Sequence, residues 1–172
     1  MNYPKTRLRR LRYNRNIRNM FEDITVNKSD LIQPIFLVEG KNIKKEIKSL
    51  TGQFQLSIDN AIDFCKSLMN EGVNSIILFG VSSKKDDTGE ISCSSQSIVP
   101  KAIKEIKNKF GDQLLVIADV CNCSYTNHGH CGTIVENDVD NDLTLETLSK
   151  QSLTLAKAGA DVLAPSDMID GR

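Results

Sequence analysis

A helix–glycine–strand unit recurs along this chain, and its spacing constrains the fold more than any other feature. Four short segments rich in Ile, Leu and Val read as buried parallel strands: 31–38 (LIQPIFLV), 75–81 (SIILFGV), 114–120 (LLVIADV) and 161–166 (DVLAPS). They begin 44, 39 and 47 residues apart, room for one crossover helix each. The helices are visible as well. Segment 57–71 carries Ile58, Ala61, Ile62, Cys65, Leu68 and Met69 on one face and meets Gly72; segments 99–110 and 143–158 end likewise at Gly111 and Gly159.

Such a repeat predicts an α/β fold, either an open doubly wound sheet or a closed (βα)8 barrel. The first strand–helix loop has neither G-x-G-x-x-G nor P-loop glycines, which weighs against the nucleotide-binding sheet. The strand C-termini carry Glu39-Gly40, Gly80-Val81-Ser82, Asp119 to Cys123 and Ser166-Asp167. Polar residues thus gather at the end where a barrel holds its chemistry. The expectation is a TIM barrel of which this chain supplies a basic N-terminal arm, residues 1–29, and about the first four βα units, residues 30–172. Half a barrel leaves two open sheet edges, so the sequence reads as cut short, a fragment or a degraded gene product.

Charge excludes some partners. Lys+Arg and Asp+Glu both number 22, so no global field draws the chain to nucleic acid or an anionic membrane. Residues 5–18 (KTRLRRLRYNRNIR) are nonetheless basic and 136–146 (ENDVDNDLTLE) acidic. The arm is the one argument for RNA binding, but only Tyr3 and Tyr13 are interleaved and no nucleic-acid motif accompanies them. No apolar run approaches the ~20 residues of a membrane span, and no secretory segment opens the chain. An odd number of cysteines, five, suits free thiolates in a reducing, cytoplasmic setting.

Three of those cysteines and both histidines fall in D-V-C-N-C-S-Y-T-N-H-G-H-C-G, residues 119–132. Asp119, Cys121 and Cys123 alternate, so an extended chain points them to one face. Residues two apart on a flat strand stand ~7 Å from each other, too far for two sulfurs ~2.3 Å from one zinc. The strand must therefore curl as it leaves the sheet, and a glycine-containing loop can return Cys131. Three thiolates leave a fourth tetrahedral position open, as in catalytic zinc sites. The alternatives are ordinary buried thiols or a zinc-binding module without catalysis. His128 and His130 can be read as zinc ligands, as donors that orient a ligand, as substrate contacts or as plain loop histidines. Cys65 belongs to an apolar helix face, and Cys93 to the Ser-rich loop ISCSSQS.

With its flanks, the cluster resembles the porphobilinogen synthase (5-aminolevulinate dehydratase) family in its zinc-using form, whose signature is similar to D-x-C-x-C-x-Y-T-x-H-G-H-C-G. Further blocks fall in family order: RRLR at 9–12, MFEDITV at 20–26, DLIQPIFLVEG at 30–40, VDNDLTLE at 139–146 and AGADVLAPSDMIDGR at 158–172. Asn122 and Asn127 depart from the pattern, which has an apolar residue and Ser there; Asn122 is expected to point away from the metal.

The resemblance implies a lyase that condenses two 5-aminolevulinate molecules into porphobilinogen for haem and other tetrapyrroles. It implies a (βα)8 barrel assembled as a homo-octamer, the arm packed on a neighbouring subunit. Carried over, Cys121, Cys123 and Cys131 become zinc ligands, Asp119 a carboxylate near the reacting amine and Ser166 a substrate contact. His130 and Asp170 lie in stretches tied to a secondary or allosteric metal such as Mg2+. The family's chemistry also uses two Schiff-base lysines on later strands, beyond Arg172. Lys150 and Lys157, on an outer helix, cannot replace them, so this chain alone is expected to be inactive.

Overall fold

A computed structural model describes residues 2–172. After a short helix α1 (Arg15–Met20) come β1 (Gln33–Val38), β2 (Lys44–Glu46), β3 (Phe54–Leu56), α2 (Ile58–Asn70), β4 (Ser75–Val81) and α3 (Ile98–Phe110). Then follow β5 (Leu115–Val120), a small hairpin of β6 (Ile134–Val135) and β7 (Asp138–Val139), α4 (Asn141–Ala158) and β8 (Val162–Pro165). The four expected strands and three crossover helices are all present, within two residues of their expected ends.

The main sheet runs β2-β3-β1-β4-β5-β8, parallel except for β2. The four crossover-linked strands lie side by side in chain order. A doubly wound sheet would reverse its order at a switch point; this one advances in a single direction, as a barrel wall does.

Burial confirms the layering. Ile35, Leu37, Ile76, Leu78, Val116, Ala118 and Val120 form one face of the sheet. Ala61 and Cys65 of α2, Ala102, Ile103 and Ile106 of α3, and Leu148 and Leu155 of α4 pack on it. All three long helices therefore cover the same face. The opposite face carries the alternate residues, with Phe36 and Phe79 stacked at 5.4 Å between centroids on neighbouring strands. Burying Cys65 in this core pushes its thiol up to about 12, so it behaves as a small apolar side chain.

Helix ends follow the sequence. Asp140 caps α4 by accepting from Leu143 N at 2.9 Å, and Gly159 closes it at φ +105°, a conformation that favours glycine. Residues 2–30 contrast with this body, for none is buried. No helix among the described residues is long and apolar enough to cross a membrane.

Candidate metal centre

Strand β5 ends at Val120, and the next residues turn tightly, Tyr125 N and Thr126 N both donating to Asn122 O at 2.8 and 3.1 Å. That turn supplies the expected curl. It brings the sulfurs of Cys121 and Cys123 to 3.4 Å, and Cys131 joins them so that all three lie within 4.8 Å of one another. Sulfurs bound to one tetrahedral zinc stand roughly 3.8 Å apart, so the spacing fits the ion. The donor chemistry fits as well. Burial pushes the Cys121 thiol pKa up, the Cys123 backbone N–H opposes the rise, and the Cys123 and Cys131 side chains add to it. Thiols so placed resist ionising unless a cation compensates them.

Backbone and buried polar groups hold the turn. Asn122 is fully buried, its Oδ1 accepting from Ser92 Oγ at 3.4 Å. A Cβ on Gly89 would come within 2.9 Å of the Asn122 Cβ, so the β4–α3 loop lies directly against it. From α4, Gln151 reaches in to donate from Nε2 to Cys121 O at 3.3 Å. Sequence reading missed Gln151. Its signal was a polar residue in line with the apolar Leu148 and Leu155, three and four residues away.

Asp119 sits one step before the turn. The β5–β8 register pairs it with Ala164 and Val120 with Pro165, which brings Ser166 alongside. Ser166 N donates to Val120 O at 3.3 Å, and Ser166 Oγ donates to Asp119 Oδ1 at 2.5 Å. Burial raises the Asp119 pKa above the usual carboxylate value; the Ser166 hydroxyl opposes the rise and the Asp167 charge adds to it. Tyr125, also missed as a site residue, is buried, and burial followed by the charge of Asp119 and the two nearer thiols raises its phenol pKa. Its hydroxyl is neutral and occupies space that Gly80 leaves open by having no side chain.

The remaining sequence-predicted residues fall outside the sulfur cluster. His130 is exposed; its N–H donates to His128 Nδ1 at 3.1 Å and its carbonyl accepts from Thr126 Oγ1 at 2.8 Å. Asp170 is exposed, its backbone pinned by Asn141, which donates to Asp170 O at 3.0 Å and accepts from Asp170 N at 2.8 Å. Cys93 lies on α4's side, 3.4 Å from Thr147 O, with burial raising its pKa. A cleft of about 350 Å3 opens on Cys131, lined also by His130, Asp138, Asn141 and Met168. Lys150 and Lys157 are exposed on α4.

Comparison with known proteins agrees with this geometry. A sequence model described as delta-aminolevulinic acid dehydratase matches residues 5–172. The delta-aminolevulinic acid dehydratase of Methanothermus sociabilis is 46% identical over 172 residues, covering 100% of this chain and 53% of the relative. That of Helicobacter pylori is 46% identical over 166 residues, covering 96% of this chain and 51% of the relative. A crystal structure of the Toxoplasma gondii enzyme, delta-aminolevulinic acid dehydratase (porphobilinogen synthase), in complex with the reaction product porphobilinogen, superposes with a TM-score of 0.92 at 35% identity. It covers 97% of this chain and 48% of that one. This chain therefore spans about half the length of each of these relatives.

Proposed function

The chain belongs to the delta-aminolevulinic acid dehydratase family, and from that premise we propose that it forms the metal-bearing part of a porphobilinogen synthase active site. The reaction is the condensation of two 5-aminolevulinate molecules to porphobilinogen, a lyase step in haem biosynthesis. The observation that carries this reading is the set of three sulfurs within 4.8 Å beside the hydrogen-bonded Asp119–Ser166 pair.

Cys121, Cys123 and Cys131 hold zinc in this reading. Bound there, zinc supplies a Lewis acid for a substrate carbonyl and activates water. The protein's own groups do the rest. Asp119 is a half-buried carboxylate whose pKa is raised, the direction wanted of a group that exchanges a proton with a substrate amine. Ser166 fixes which carboxylate oxygen is engaged by donating to Oδ1, and turns its own oxygen to substrate. Schiff-base formation requires a lysine shielded from water, and the exposed Lys150 and Lys157 on α4 do not provide it.

Oligomerisation completes the reading. Tyr3, Leu8, Tyr13, Met20 and Ile24 of the arm are each more than three-quarters exposed, an apolar surface suited to a second copy of the chain.

Zinc titration in competition with a chromogenic chelator tests the proposal. One tightly bound zinc per chain is expected, with Cys121→Ser weakening it at least 100-fold. Borohydride reduction in the presence of 5-aminolevulinate is expected to trap no adduct on Lys150 or Lys157. Zinc binding indifferent to Cys121→Ser would overturn the metal assignment.

A further inference from the structure

We propose that His128 is a positioning residue: it ties the loop carrying Cys131 to the β4–α3 loop and so sets the third sulfur against the other two. The inference rests on the three cysteines forming a metal centre, and it assigns the histidine a place outside the ligand set.

Both imidazole nitrogens are already engaged. Nε2 lies 3.0 Å from Asp87 O, and Nδ1 lies 3.1 Å from the backbone nitrogen of His130. A carbonyl can only accept and an N–H can only donate, so these partners assign the neutral tautomer with its proton on Nε2. Neither nitrogen is left to bind a cation. Through Nδ1 the ring holds the N–H of His130, the residue before Cys131, whose carbonyl accepts from Thr126 Oγ1 at 2.8 Å.

The anchor on the other side is itself rigid. Asp86 Oδ1 accepts from Thr88 N at 2.9 Å and Glu90 N at 3.1 Å, and its Oδ2 accepts from Ile91 N at 3.0 Å. The same residue pairs through its backbone with the cysteine loop, Asp86 N donating to Tyr125 O at 3.1 Å and Asp86 O accepting from Asn127 N at 2.9 Å. Asn127, one of the two departures from the family pattern, adds a bond from Nδ2 to Asp87 Oδ1 at 2.9 Å. Two successive side chains thus grip Asp87. Beyond Cys131 the chain is fixed again, Thr133 N donating to Thr144 Oγ1 at 3.0 Å. Cys131 is suspended between these anchors.

The test uses Co2+ as the probe and the 172-residue chain under reducing, anaerobic conditions. The thiolate-to-cobalt charge-transfer band is read per cobalt bound in wild type, His128→Ala, His128→Gln and Cys131→Ser, with far-ultraviolet circular dichroism as a check on folding. For His128→Ala we expect affinity to fall about 10-fold, the size typical of groups that orient metal ligands. We also expect its band to fall to about two-thirds of wild type, two sulfurs in place of three, matching Cys131→Ser. His128→Gln keeps a donor for Asp87 O and should recover part of both losses. A purely structural role would lower stability without changing the band per cobalt. Wild-type affinity and band in a folded His128→Ala chain would overturn the inference. A wild-type chain that binds no cobalt through sulfur would instead overturn the metal centre, and this inference with it. Should His128→Ala unfold, Asn127→Ser decides: about threefold weaker cobalt binding supports the tie to Asp87, and unchanged binding overturns it.

Discussion

Cys121 and Cys123 reach the sulfur cluster along a strand, whereas Cys131 reaches it around a loop. The first two are placed by β5, whose backbone is fixed on both sides by parallel pairing with β4 and β8. Their spacing needs only the tight turn that follows Val120. Cys131 has no strand behind it. Its position follows from side chains: His128 and Asn127 on Asp87 and Thr126 on the His130 carbonyl upstream, and Thr144 downstream. A metal site assembled this way combines a rigid pair of ligands with a third whose placement depends on side-chain hydrogen bonds. Changes to the loop should therefore move metal affinity more than changes of similar size behind the strand.

Gly132→Ala should give the largest effect. A Cβ there would run into the Thr144 hydroxyl and come within 2.6 Å of Val139 Cγ1. The Thr144 hydroxyl cannot withdraw without giving up its bond to Thr133 N. Overpacking of this kind costs about 1–3 kcal/mol, to be read as a lower urea midpoint at unchanged m-value. Because the crowding sits next to Cys131, cobalt affinity should fall together with stability. A stable variant with normal affinity would show that the downstream anchor does not bear on the third sulfur.

Gln151 offers the matching experiment behind the strand. It is buried, donates to Cys121 O, and leaves its Oε1 without a partner among the described residues. Gln151→Leu loses one hydrogen bond but also removes the unpaired acceptor, so the two effects nearly offset and the change should stay within about 1 kcal/mol. Cobalt affinity should shift no more than about threefold, since β5 still places Cys121. A tenfold loss would show that the buried amide, rather than the strand, positions that sulfur.

The same contrast explains what was legible in the sequence. The strand–helix repeat and its glycine stops depend on short-range patterns, and the structure reproduces them. The curl after Val120 was also forced by arithmetic, because two sulfurs on a flat strand lie too far apart for one ion. Strands β2 and β3 were missed because they span three residues each, and Lys44–Glu46 has no apolar face at all. The β6–β7 hairpin was missed for a different reason. Its two-residue turn, Glu136-Asn137, has both residues at positive φ, a conformation the sequence advertises only through the asparagine. Tyr125, Gln151 and the grip on Asp87 depend on contacts between residues 30 to 41 positions apart or on burial, which no local pattern encodes.

Asp161 gives the smallest effect and the sharpest control, because it anchors the strand-held side without touching the loop. Its backbone N–H donates to Val116 O at 2.9 Å, its Oδ2 accepts from Val116 N at 2.8 Å, and Lys107 Nζ lies 2.9 Å from Oδ1. These contacts help set the β5–β8 register that brings Ser166 to Asp119. Burial works against the Asp161 charge, but the Val116 N–H and the Lys107 ammonium together outweigh it and hold the pKa below the ordinary carboxylate value. The folded pKa is depressed, so the stabilisation is present above the unfolded value of about 3.9 and is lost as pH falls through the folded pKa. Asp161→Asn should therefore be less stable than wild type at pH 7 by no more than about 1 kcal/mol, as expected of a partly exposed pair. The two melting curves should converge below about pH 4. Cobalt binding at pH 7 should be unchanged, because the bonds from Asp87 to the cysteine loop are intact. If binding fell as steeply as in the loop variants, the division between a strand-held pair and a loop-held third sulfur would fail.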